Sequence, residues 1–132
     1  MNYICQTCLK EPNSHSFKKI GEKNNINYFY TCPAKASKYD DNQGILEHYK
    51  GTLNNFPNQK WIWIFDSEGF STKHALNIPL AIDLAKLISQ YKDTLVKINI
   101  INPTWHIKSI ITITKPFLTN IQINILNPDF ST

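Results

Sequence analysis

WIWIF, residues 61–65, and LVKINII, residues 95–101, decide how this chain folds. In the first run Trp61, Trp63 and Phe65 alternate with Ile62 and Ile64, so both faces of the strand are apolar. Such a strand is buried on both sides, as in the middle of a parallel sheet with helices on each side. Leu95 to Ile101 reads as a second central strand. Between the two runs, Leu80, Leu84, Leu87, Ile88 and Tyr91 share one helical face, with Asp83, Lys86 and Gln90 on the other. Pro79 suits the first turn of that helix. Strand, helix, strand with right-handed crossovers predicts an α/β fold: a mostly parallel central sheet flanked by helices, these two strands adjacent and parallel.

Working outward, Tyr28 to Cys32 (YFYTC) is β-prone and Pro33 ends it. Lys35 to Asn42 is a polar connector. Ile45, Tyr49, Thr52, Leu53 and Phe56 recur at helical spacing, with Asp41 or Asn42 as the cap and Pro57 beyond the end. After the second central strand comes Asn102-Pro103-Thr104-Trp105, then a helix to Leu118 that includes Lys115-Pro116-Phe117. On a wheel of about 100° per residue, Ile107, Ile110, Ile111, Ile113, Phe117 and Leu118 cover an arc of roughly 160°, where a surface helix needs only about 100°. The surplus must face a second packed element, a partner or an apolar ligand. Pro116 removes a backbone donor from the last turn and kinks it. Ile121 to Leu126 alternates with Gln122 and Asn124, the pattern of a half-exposed edge strand, and Pro128 ends regular structure.

The chain has 132 residues, enough for one compact domain. Residues 1–25 read as a Cys-containing arm and 26–132 as the compact unit. The charge of +4 comes from scattered lysines, and there is no Arg. Nucleic-acid readers show a basic stripe with Arg at base contacts, so nucleic acid is not an expected partner. Lysines can favour anionic headgroups, which allows at most peripheral membrane contact. No apolar run of roughly 18 residues spans a membrane. The opening MNYICQTCLKEP lacks the pattern of a secretory signal, so a cytoplasmic setting is expected.

The order strand, Asp66-x-x-Gly69, helix, strand, Asn102-Pro103-Thr104-Trp105, wide-faced helix, Lys115-Pro116-Phe117-Leu118 resembles the core of a CRAL-TRIO domain, over roughly residues 26 to 126. It is most similar to the BCH-type branch found in Rho GTPase-activating proteins and related scaffolds. The resemblance implies a non-catalytic module that binds a lipid or small hydrophobic molecule, with Asn102 to Leu118 as the gate over the ligand. Trp105, Ile107, Ile110, Ile111, Ile113 and Phe117 are the implied ligand-binding residues. The alternative it implies is an interaction scaffold for a protein such as a small GTPase. Phosphoinositide-binding members carry a Lys on the strand after the gate, and Ile121 to Leu126 has none. The chain ends at Thr132, soon after that strand, so a shallow pocket is expected.

Cys5-x-x-Cys8, with Cys32 further on, can bite one tetrahedral metal. His15 or His48 is the available fourth ligand. The zinc set expected is Cys5, Cys8, Cys32 and His15, in a zinc-stabilised interaction domain; the alternative is ordinary free thiols. Asp66 ends a central strand, where α/β ligand sites lie, but an Asp there also turns the chain and caps amides. No phosphate loop, nucleophile elbow or carboxylate cluster accompanies it, so catalysis is not expected.

Overall fold

Two asparagines start the sheet. Asn24 and Asn25 both hold positive φ, 56° and 64°, as the two-residue type I′ hairpin turn requires. They join β1 (Lys18–Lys23) to β2 (Ile26–Thr31) in antiparallel register, with Lys23 opposite Ile26. The computed structural model describes residues 3–126. Pro128, expected to end the regular structure, lies outside the described residues.

From β2 onward every pairing is parallel. β3 (Trp61–Asp66), β4 (Leu95–Ile101) and β5 (Ile123–Leu126) follow in the order β1-β2-β3-β4-β5. The expected α/β class, with β3 and β4 adjacent and parallel, is what the structure has. β5 is the edge strand. The connections run through α2 (Asn42–Asn54), α3 (Thr72–Ala75), α4 (Ile78–Ser89) and α5 (Trp105–Thr114), after a five-residue α1 (Gln6–Lys10). A 3₁₀ turn, Lys115–Phe117, continues α5 where Pro116 ends its α-helical hydrogen bonding.

Helices on each side of the sheet were expected; one side is what forms. Strand order is sequential from β2 to β5, so crossovers of one hand all land on the same face. Phe29, Trp63, Ile98 and Ile123 lie in one row across that face. They share the buried core with Ile45, Tyr49 and Leu53 of α2, Ile88 of α4 and Ile107 and Ile110 of α5. The opposite face holds Tyr28, Ile62 and Lys97 in one row. Ile62 is only 4% exposed even so.

The core is closed by stacked rings at one end and left open at the other. Phe17, just before β1, stacks on Tyr49 (4.1 Å) and Phe29 (5.1 Å) and meets Trp61 and Trp63 edge-on. The Trp63 indole donates to Thr31 Oγ1 at 2.9 Å, and Tyr49 Oη lies 2.9 Å from the same oxygen. The other end, under α4 and α5, sets Leu, Ile and Ala side chains beside Phe65 and Phe70, and it is not filled.

Candidate functional site

Asp66 sits where β3 ends. Its carboxylate accepts from Tyr30 Oη (2.5 Å), Asn102 Nδ2 (3.0 Å) and the Glu68 amide (3.0 Å). Burial alone would raise its pKa, but these donors hold it below the usual carboxylate range. The residue pins the ends of β2, β3 and β4 together. Gly69 follows with φ 78°, where a Cβ would come within 2.7 Å of the Ala34 Cβ. Asp66-x-x-Gly69 is a turn that shapes the carboxyl ends of the strands.

Beneath those ends lies a cavity of about 150 Å³. Trp63, Phe65, Ile98, Ile100 and Thr31 form its floor; Leu80, Ala81, Leu84 and Ala85 of α4 form one wall; Ile107, Ile110, Ile111 and Thr114 of α5 form another. An apolar cavity of about 150 Å³ stays dry and accepts a benzene-sized group; drug-sized ligands occupy roughly 300–1,000 Å³. α5 is tethered by few polar contacts, among them His106 Nε2 to Thr72 Oγ1 at 3.1 Å. Lys86 lies over the Phe117 ring, 5.4 Å from its centroid. A second space, about 280 Å³, opens at the opposite ends of the strands between Asn54, Gln59 and Tyr91. It is the more polar of the two, and α/β ligand sites lie at the carboxyl ends instead.

The expected gate residues divide. Ile107, Ile110 and Ile111 line the cavity. Trp105 does not: it is 76% exposed at the first turn of α5. Ile113 also faces outward, and Phe117 is half-buried outside the cavity. The wide arc thus splits between the hollow and solvent. Leu84, Ala81 and the β3–β4 floor were not singled out from sequence, although the inward face of α4 was legible there.

His74 is one of the polar residues in the cavity wall. Its Nδ1 accepts the Ser71 amide at 3.1 Å, closing a capping box at the start of α3. The proton of the neutral ring therefore sits on Nε2, and that buried nitrogen has no partner among the described residues. Burial, then the charge of Lys73, holds the imidazole below its ordinary pKa. Thr31 and Thr114 also line the cavity, but their hydroxyls are hydrogen-bonded.

The cysteines fall in two places. Cys5, Cys8, His15 and His48 offer ligand atoms all within 4.8 Å of one another. Cys32 is not among them. It is buried after β2, with its thiol toward the Glu68 carbonyl at 3.7 Å, in the loop after β3. His48, on α2, stands where Cys32 was expected. In the cluster Cys5 caps α1, accepting from the Cys8 amide at 3.4 Å. Burial alone would raise the Cys5 thiol; that amide and contacts from His48, Tyr3 and Cys8 bring it down to about 6. Cys8 is pushed up, chiefly by burial.

A protein-family model, the CRAL/TRIO domain, matches residues 34–129. The chain belongs to the CRAL/TRIO domain family. The match covers α2 to β5, hence most of the cavity lining and both helices over it, and begins after β1, β2, Cys5 and Cys8. Comparison with curated proteins gives no match. Among the described residues of this CRAL/TRIO chain, no helix is long and apolar enough to cross a membrane.

Proposed function

We propose that this CRAL/TRIO chain is a non-catalytic intracellular module that binds one small hydrophobic molecule or single-chain lipid between the sheet and α5, with α5 as the gate. The observation that carries this is the unfilled, mostly apolar cavity, with His74 among its lining residues and the buried His74 Nε2 without a partner among the described residues. Burying a donor without a partner costs about 1–3 kcal/mol. A ligand with an apolar body and one acceptor, such as a carboxylate, carbonyl or hydroxyl, removes that cost. The ligand's polar end belongs at His74 and its apolar end along Leu84, Ile107 and Ile110.

Native mass spectrometry tests this. After incubation with a medium-chain fatty acid, the chain carries one adduct that survives gentle desolvation. A bare chain under the same conditions, with a known fatty-acid binder loaded alongside, would falsify the reading.

A second reading follows the BCH-type likeness: a protein partner, such as a small GTPase, docked on the outer side of the gate. Trp105, large and 76% exposed, favours it, because exposed aromatics anchor interfaces. Trp105→Ala separates the two. It leaves the fatty-acid adduct intact and weakens only the partner's binding.

A further inference from the structure

We propose that Cys5, Cys8, His15 and His48 form a tetrahedral Zn²⁺ site that fastens the amino-terminal segment to α2. Three of the four ligands lie outside the CRAL/TRIO match, and the site is independent of the cavity.

The distances fit a metal. With Zn–S near 2.3 Å and Zn–N near 2.0–2.1 Å, neighbouring sulfur and nitrogen ligands of a tetrahedron stand about 3.5 Å apart. His15 Nδ1 lies 3.5 Å from Cys5 Sγ and 3.8 Å from Cys8 Sγ, and His48 Nδ1 lies 3.7 Å from Cys8 Sγ. The two rings stand edge to face at 83°, so each aims its nitrogen at the thiols without the rings colliding.

The outer partners fix which nitrogen is free. His48 Nε2 donates to the Phe17 carbonyl at 2.8 Å; a carbonyl only accepts, so the proton is on Nε2 and the Nδ1 lone pair faces the sulfurs. His15 Nε2 lies 2.9 Å from Asp41 Oδ2, which imposes the same tautomer. A carboxylate or carbonyl behind each imidazole is the usual second layer of a histidine metal site. Asp41 does this while its other oxygen caps α2 through the Gly44 amide at 3.2 Å. Two sulfurs and two nitrogens in tetrahedral array select zinc among the common divalent metals.

The segment also needs a fastener. α1 has five residues and buries none of them, far short of the roughly 12–15 residues at which an isolated helix becomes marginal. Tyr3 lies against α2 at Gly51, where a Cβ would come within 2.3 Å of the Tyr3 ring, and the Tyr3 backbone pairs with the Asn55 side chain. A metal joining Cys5 and Cys8 to His48 holds this contact closed.

Metal analysis of the purified full chain gives one zinc per chain. Cys8→Ser and His48→Gln lose it, and Cys32→Ser keeps it. Asp41→Asn keeps the ligands but weakens zinc binding about 10–100-fold. Co²⁺ added to the zinc-stripped wild-type chain produces thiolate-to-metal absorption and tetrahedral d–d bands at one equivalent, a readout that does not depend on any variant folding. No such bands, zinc that survives Cys8→Ser, or zinc that departs with Cys32→Ser, each overturns the assignment.

Discussion

The two ends of the core are built on opposite terms. At the aromatic end, under β1, β2 and α2, flat rings stack within 4.1–5.1 Å and each buried polar group of the Trp63–Thr31–Tyr49 set has a partner. At the other end, under α4 and α5, aliphatic side chains and the rings beside them leave about 150 Å³ unfilled, and one buried imidazole nitrogen is unpaired among the described residues. Close packing is the norm inside proteins, and voids of this size are few per domain. The difference teaches where the interior is closed by packed rings and where it leaves room.

The comparison can be broken first at the aromatic end. Trp63 is buried between the two ends, and Trp63→Ala is expected to cost about 3–5 kcal/mol in denaturant melts. Natural domains have only about 5–15 kcal/mol in hand, so the variant should be poorly soluble. A loss under about 1 kcal/mol would show that the rings do not carry the fold. Next in size is the metal. Zinc at about 100 times its Kd should raise stability by about 2.7 kcal/mol and slow hydrogen exchange in α1 but not in α5. Equal protection of both helices would contradict a local fastener. Thr31→Val should cost about 1–3 kcal/mol, because Trp63 Nε1 and Tyr49 Oη lose their shared partner.

The smallest effect belongs to His74. Its folded pKa lies below 6.5 while the unfolded value stays at 6.5. Between the two, the unfolded chain binds more protons, so stability falls as pH drops below 6.5 and levels off under the folded pKa. NMR titration of the His74 ring in the ligand-free chain should give a midpoint below 6.5, and a carboxylate bound beside the ring should move it up. A midpoint above 6.5 in the ligand-free chain would remove the neutral donor from the site.

Much of the fold was legible because its signals were local. β4 occupies the expected Leu95–Ile101, and α2 carries Ile45, Tyr49 and Leu53 on its buried face as their spacing predicts. Two-sided apolarity in β3 identified a central strand, yet not what covers it. That depends on strand order, which no local pattern encodes. β1 was missed because KKIGEK has five exposed positions in six and so no apolar alternation; the readable signal was the Asn24–Asn25 turn. At the metal cluster the Cys5-x-x-Cys8 pair was legible, whereas His48 comes from α2, 40 residues from Cys8. Cys32 was the nearer choice in sequence, and its chain direction after β2 carries it away. At the cavity, Ile107, Ile110 and Ile111 were legible from the wide arc of α5. His74 was not, since its role depends on which nitrogen Ser71 occupies.

Filling the cavity from α4 tests the central claim most directly. Ala81 lines the cavity and is half-buried, so Ala81→Phe places a ring in empty space instead of in a packed core. A fluorescent fatty acid titrated into the wild-type chain should saturate at one site. The variant should melt no lower and bind at least roughly tenfold more weakly, a difference of about 1.4 kcal/mol. Equal affinity in the two proteins, with the variant folded, would contradict the account and place the ligand elsewhere.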